Sequence, residues 1–257
     1  MLSGVEIDPR NFLYIHYIRA LLDSQAKFFI AENVKGLMTM AKGKVLQQIR
    51  EDFTAAGYHV DINLVNAKNY GVSQSRERVF IIGIRNDIYS HGTKYTLPEI
   101  TNSEVDKSKK PLVTLKEAIS DLPKFPNDYY TGSYSSMYLS RNCKKNWNDV
   151  SFTIQASARQ APQYPGGLPM KKIDKDHWKF QGKINRRLSV RECARIQSFP
   201  DWFEFSDSGK DTVSRANRLN EKYKQIGNAV PVILAEKITR PVLCNLITEL
   251  MSKKLDK

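Results

Sequence analysis

The sequence predicts an α/β fold that holds the later part of a sheet. Residues 27–31 and 79–83 are short runs rich in aromatic and β-branched side chains, too brief for helices, and read as buried strands. A helical pattern lies between them, and the order helix, strand, helix, strand, strand belongs to an α/β layer. Such a domain usually opens with a strand and a glycine-rich turn; no such turn precedes Asp8, so the expected sheet lacks its beginning.

In chain order, Asp8 and Pro9 are expected to cap and open a helix that runs to Ser24, since an acceptor side chain suits the cap and proline lacks only a donor that would go unused there. Ile15, Ile18 and Leu22 form its apolar stripe, broadened by Tyr14, Tyr17 and Leu21. The strand at 27–31 ends at Glu32 and Asn33, the end at which open α/β sheets bind ligands. A helix with Val45, Leu46, Ile49 and Phe53 on one face should stop at Gly57. Residues 59–64 alternate, with Val60, Ile62 and Leu64 on one side and His59, Asp61 and Asn63 on the other. Next come Gln74, Arg76 and Arg78, which alternation sends to one side at the mouth of the last strand, where they can converge on a planar or anionic ligand.

From about 85 to 186 the texture becomes polar and proline-bearing, with a basic cluster at 107–110 and strand-like pieces such as 151–155, as in a second domain or large insertion. Thr114-Leu-Lys-Glu117 and Ser189-Val-Arg-Glu192 are capping boxes for short helices, the first ending near Pro123 and the second before Pro200. Arg191 and Arg195 share a face of the second. Between 171 and 195 stand nine lysines or arginines against three acidic residues, a density that suits a phosphate backbone. A last helix carries Val232, Ala235, Ile238, Val242 and Leu246 at helical spacing; Pro231 fits its first turn and Pro241 should kink or divide it.

The 257 residues carry a net charge of +13, which favours a polyanionic partner, nucleic acid above membrane, because no basic amphipathic helix stands out. No apolar run approaches a membrane span and the first residues lack a signal-peptide pattern, so a cytoplasmic protein without a membrane partner is expected. Cys143, Cys193 and Cys244 are odd in number, widely spaced and free of neighbouring histidines, which points to neither disulfide framework nor metal site.

Glu32-Asn-Val34, Gln74-Ser-Arg-Glu-Arg78, the segment from Arg187 through Arg-Ile-Gln-Ser-Phe-Pro to Asp201, and Gln225-Ile-Gly-Asn-Ala-Val-Pro231, in this order around a polar variable region, resemble the later motifs of the DNA cytosine-C5 methyltransferases. The resemblance covers nearly the whole chain. Residues 132–165, with SYSSMYLSRN and FTIQASARQAP, further resemble the target-recognition region of restriction-modification enzymes that read GGCC. It implies the second half of a Rossmann-like, S-adenosylmethionine-dependent methyltransferase sheet with an inserted small target-recognition domain of mixed, β-rich structure. The corresponding division is 1–88 for the later catalytic domain, 89–221 for target recognition and hinge, and 222–257 for a terminal helix returning to the catalytic domain.

The resemblance implies roles as well. Glu32 would hydrogen-bond N3 and the exocyclic amine of a cytosine flipped from double-stranded DNA, Arg78 would hold its O2, and Arg76 would support the loop or a phosphate. Asn228 and Ala229 would lie near S-adenosyl-L-methionine. Arg141 and Arg159 are the candidate guanine readers, because the arginine fork matches guanine O6 and N7, while Lys172 and Arg187 would meet the DNA backbone. The family's Pro-Cys-Gln nucleophile loop and Phe-x-Gly-x-Gly cofactor turn occur nowhere in the sequence, and none of the three cysteines has the nucleophile's context. The expectation is therefore a chain inactive without an amino-terminal subunit or missing segment that carries them, the alternative being a non-catalytic DNA-binding remnant.

Overall fold

The computed structural model describes residues 12–132, 143–175, 177–182, 184–207 and 213–255. They form two compact units, one comprising Met1–Val65, Glu77–Pro98 and Ile238–Lys257, the other Asn66–Arg76 and Glu99–Lys237.

The first unit is built on a three-stranded sheet in the order β1-β3-β2, from β1 (Phe28–Val34), β2 (Tyr58–Asn66) and β3 (Glu77–Arg85). The central strand, β3, runs antiparallel to β1 in a register from Phe28 opposite Ile84 to Val34 opposite Arg78. Val79 to Ile84 are all buried, as expected of a strand covered on both faces. Because the pairing continues through Val34, Glu32 and Asn33 lie within the strand rather than beyond its end. At the cross-strand pair of Phe29 and Gly83, a Cβ on the glycine would stand 1.9 Å from the Phe29 ring, so the missing side chain is the space the ring occupies. Phe29 also meets Tyr17, Phe53 and Tyr58, with ring centroids 5.9, 4.5 and 5.2 Å away, at the centre of this core.

Helix α1 spans Leu13–Ser24 and ends where expected, with Gln25 in the left-handed region; the Asp8 and Pro9 cap lies outside the described residues. Its packed face differs from the expected stripe. Tyr14, Tyr17, Ile18 and Leu21 meet the core, whereas Ile15 and Leu22 are exposed, because the sheet meets the helix about one position round from the purely aliphatic row. Helix α2 (Lys44–Ala55) turns Ile49 and Phe53 inward and stops just before Gly57, whose φ is +93°. The Tyr14 hydroxyl donates to Asp52 at 2.7 Å and joins the two helices; burial and that carboxylate push its pKa up to about 12. In β2 the alternation holds for Tyr58, Val60 and Ile62 and then inverts, with Leu64 exposed and Val65 buried. Helix α3 (Asn86–Ser90) follows β3.

The second unit has few strands. The expected strand at 151–155 is only an isolated bridge between Ser151 and Gln74, and among the described residues the β-rich texture amounts to one antiparallel ribbon, β4 (Lys171–Asp174) with β5 (His177–Lys179), and four isolated bridges. Both capping boxes form as read: Thr114 and Glu117 open α4 (Leu115–Ile119), and Ser189 and Glu192 open α5 (Val190–Ile196). Arg191 and Arg195 do share a face, both turned toward Asp201. Helix α6 (Arg215–Asn228), capped by Ser214, was not expected: its signal is Leu219, Tyr223 and Ile226 at helical spacing, thinly spread among polar residues, with a glycine near its end. Helix α7 (Val232–Leu255) continues through Pro241 without dividing; the removed donor faces only the Lys237 carbonyl one turn earlier. Among its side chains described, Leu234, Ile238 and Val242 are buried, the last two within the first unit, and Val232 is exposed. Among the described residues no helix is long and apolar enough to cross a membrane.

Candidate functional site

In the first unit the antiparallel register assembles a carboxylate and a guanidinium. Glu32 stands opposite Phe80 and Val34 opposite Arg78, so Glu32 and Arg78 are diagonal neighbours on one face, a separation that a long side chain spans. Arg78 Nε donates to Glu32 Oε1 at 2.8 Å, and Arg78 Nη1 donates to the Glu77 carbonyl at 2.7 Å. Burial depresses the Arg78 pKa and the Glu32 carboxylate opposes that shift. The Arg78 side chain is 13% exposed and that of Glu32 26%, so the pair is fixed yet reachable. It offers one planar ligand an acid or acceptor beside a donor fork, the pattern that the N3 and O2 edge of a pyrimidine requires.

Gln74 and Arg76 do not join that pair on an open ligand, as alternation had led us to expect. Both are buried in the second unit, where they clasp the backbone of one residue: Gln74 Oε1 accepts from the Ile154 amide at 2.8 Å and Arg76 Nη1 donates to the Ile154 carbonyl at 3.1 Å. Arg76 Nη2 also donates to the Gly227 carbonyl at 2.8 Å. A side chain committed in this way positions a loop and cannot also meet a phosphate.

The same bonds fix the turn that holds Asn228 and Ala229. Gln197, fully buried, donates to the Ile226 carbonyl at 2.7 Å, and Ser198, at φ +59°, accepts from the Ile233 amide at 3.0 Å. Sequence reading had given these two residues no role, although they stand inside a quoted motif. Asn228 is exposed and Ala229 half-buried at the end of α6. Gly227 is needed for this closeness, because a Cβ there would lie 2.4 Å from the Gln155 carbonyl. Gly227→Ala should destabilise the chain by about 1–3 kcal/mol or more through overpacking against backbone that cannot step aside. An unchanged urea midpoint would show that the contact does not exist.

The expected DNA-binding residues divide. Arg159 is exposed on the 3-10 turn Ala158–Gln160, and Lys172 is exposed on β4 opposite Trp178, with Lys171 opposite Lys179. Arg141 lies outside the described residues. Arg187 is a correction: it is 1% exposed, with Nη1 donating to the Tyr130 and Gly132 carbonyls at 3.2 Å each and Nη2 to the Arg159 carbonyl at 3.5 Å. It ties loops together from inside and presents nothing to a backbone phosphate. Its neighbour Arg186 is buried too, doubly bonded to Glu192 at 2.8 and 2.9 Å. Burial pushes the Cys193 thiol up, away from the thiolate that a nucleophile needs. Among the described residues, no group of three His, Cys, Asp or Glu is placed to hold a metal.

Residues 4–244 match the model of the C-5 cytosine-specific DNA methylase family. The chain is 58% identical to the type II methyltransferase M.BspRI of Lysinibacillus sphaericus over 91% of its own length and 55% of that protein's. It is 42% identical to M.FnuDI of Fusobacterium nucleatum over 94% of its length and 71% of that protein's. It spans about half the length of M.BspRI and of M.BsuRI of Bacillus subtilis, which it matches at 56% identity. Among solved structures, the S. pombe Dnmt2 methyltransferase is similar in fold, with a TM-score of 0.54 at 14% identity, 91% of this chain and 74% of that one being covered.

Proposed function

The chain belongs to the C-5 cytosine-specific DNA methylase family, and from that premise we propose that it forms the base-holding and target-reading part of a DNA cytosine-C5 methyltransferase of a restriction-modification system, working in the cytoplasm on double-stranded DNA. The observation that carries this reading is the half-open pair of Glu32 and Arg78, 2.8 Å apart on one sheet face. Glu32 meets N3 of the flipped cytosine as an acid and accepts from its exocyclic amine, which stabilises the ring once a nucleophile has added at C6; Arg78 donates to O2. Asn228 and Ala229 border the cofactor, a role supported by an exposed amide on a turn that Arg76 and Gln197 hold rigid. S-adenosyl-L-methionine would supply the methyl group there.

In this reading residues 1–88 are the later catalytic domain, 89–221 the inserted target-recognition domain and hinge, and 222–257 the returning helix. Arg141 and Arg159 read guanines of a GGCC site and Lys172 holds a phosphate. The thiol and the cofactor turn come from an amino-terminal part that lies outside these 257 residues, and the chain alone transfers no methyl group.

The test is incorporation of labelled methyl from S-adenosylmethionine into duplex DNA, by the chain alone and with a polypeptide that carries Phe-x-Gly-x-Gly and Pro-Cys-Gln. Transfer only in the mixture is the expected result. Robust transfer by the chain alone would overturn the split reading. DNA retention without transfer in either case would establish a binding remnant. In the mixture, Arg159→Ala should cost about 1–3 kcal/mol and relax discrimination at one base, whereas Lys172→Ala should weaken all sequences alike. Bisulfite sequencing reads the site, and methylation centred elsewhere than GGCC removes that assignment.

A further inference from the structure

The backbone around Arg159 is held from distant segments while its side chain is left free. The 3-10 turn Ala158–Gln160 opens at Ser157, whose side chain makes no capping bond, so the Ala158 amide is one of the donors that the start of a helical turn cannot satisfy internally. Asn220, 62 positions away on α6, supplies the acceptor: its Oδ1 accepts from the Ala158 amide at 3.0 Å. One residue further along, the buried Arg187 donates through Nη2 to the Arg159 carbonyl at 3.5 Å. Ala158 and Ala161 are fully buried and seat the turn on either side of the arginine. The two clamps share a frame, because the Tyr223 hydroxyl, about one turn beyond Asn220, donates at 2.6 Å to the carbonyl of Leu188, the residue after Arg187. The exposed Arg159 guanidinium itself has no hydrogen bond, ion pair or ring contact among the described residues.

A free side chain on a fixed backbone is what base readout needs. An arginine fork meets guanine O6 and N7 through two directed bonds, so it discriminates only when its origin is fixed relative to the base edge, and a backbone ordered beforehand spares that cost on binding. We propose that Asn220 is a positioning residue for base recognition: by capping the 158–160 turn from α6, it sets the direction from which Arg159 reaches guanine. This inference rests on the reading of Arg159 as a guanine reader and adds to it the residue that aims the fork. The bond to Ala158 is the one polar bond of the Asn220 side chain among the described residues, so the accepting oxygen is its whole polar contribution. An aspartate keeps that acceptor and an alanine does not.

The experiment measures, by fluorescence anisotropy, dissociation constants of the full chain for a duplex carrying GGCC and for duplexes with each guanine of the site replaced in turn by adenine. Arg159→Ala should abolish the preference at one guanine. Asn220→Ala should lower the preference at that same guanine by about threefold to tenfold, the size of one lost hydrogen bond, and leave the preference at the other guanine intact. Asn220→Asp should keep the wild-type preference, and the Ala158 amide should exchange hydrogen faster in Asn220→Ala than in wild type or Asn220→Asp. If Asn220→Ala weakens binding to every duplex alike, or lowers the thermal midpoint with the preference unchanged, Asn220 is a structural cap alone and the proposal is overturned. Loss of the preference in Asn220→Asp as well would overturn it too, because the accepting bond would not be the cause. If Arg159→Ala changes no preference, the guanine-reading assignment falls and takes this proposal with it, so the two failures are told apart.

Discussion

Glu32→Gln, in the complete methyltransferase assembly, is expected to retain DNA binding and lose methyl transfer on the order of 10²–10⁴-fold, the usual contribution of a general acid or base. The amide keeps the shape of the carboxyl and can still accept from Arg78 Nε across the present 2.8 Å, so the fold and the arginine's position should survive. What the amide cannot do is transfer a proton to N3. Single-turnover incorporation of labelled methyl, with DNA binding measured beside it, separates the two effects: the chemical step should slow while the dissociation constant moves little. Arg78→Ala should do similar damage by a different route, loosening the base and leaving Glu32 without its partner. Normal methylation by both variants would remove the cytosine pocket from this face of the sheet.

Glu192→Ala should destabilise the second unit by about 3–5 kcal/mol, because it strands a buried guanidinium. Arg186 is held by two bonds to this carboxylate, at 2.8 and 2.9 Å, by bonds to the Lys124 and Arg187 carbonyls, and by the Tyr164 ring, whose centroid lies 4.0 Å from the guanidinium carbon. The carboxylate also accepts from the Ser189 amide at 2.7 Å and so closes the cap of α5. Urea unfolding of the chain measures the loss. Arg186→Met combined with Glu192→Ala should recover a substantial part of it, since the double change removes the uncompensated charge. A single variant within about 1 kcal/mol of the wild type would mean that the pair is solvated.

Several elements were legible because their causes are local. Each capping box closes within four residues, the α2 stripe recurs every turn, and the run at β3 is buried along its whole length, so pattern alone located them. The family motifs were legible in the same way, as short strings in a fixed order. The fate of the arginines was not. Arg76, Arg78 and Arg187 look alike in the sequence. Arg78 pairs with a partly exposed acid on the neighbouring strand, Arg76 is consumed by carbonyls 78 and 151 residues away, and Arg187 by carbonyls 55 and 57 residues away. The packed face of α1, too, depended on which row the sheet reached, not on which row was most aliphatic. Residue order thus carried the two capped helices, the α2 stripe, the β3 run and the kinship, because those rest on bonds and periodicities within a few positions, whereas α6 and the failed strand at 151–155 had too thin a local signal to be read. Which charged groups face a ligand and which are sealed inside as struts depended on the packing of distant segments, because burial and partners, not residue type, set what a guanidinium does.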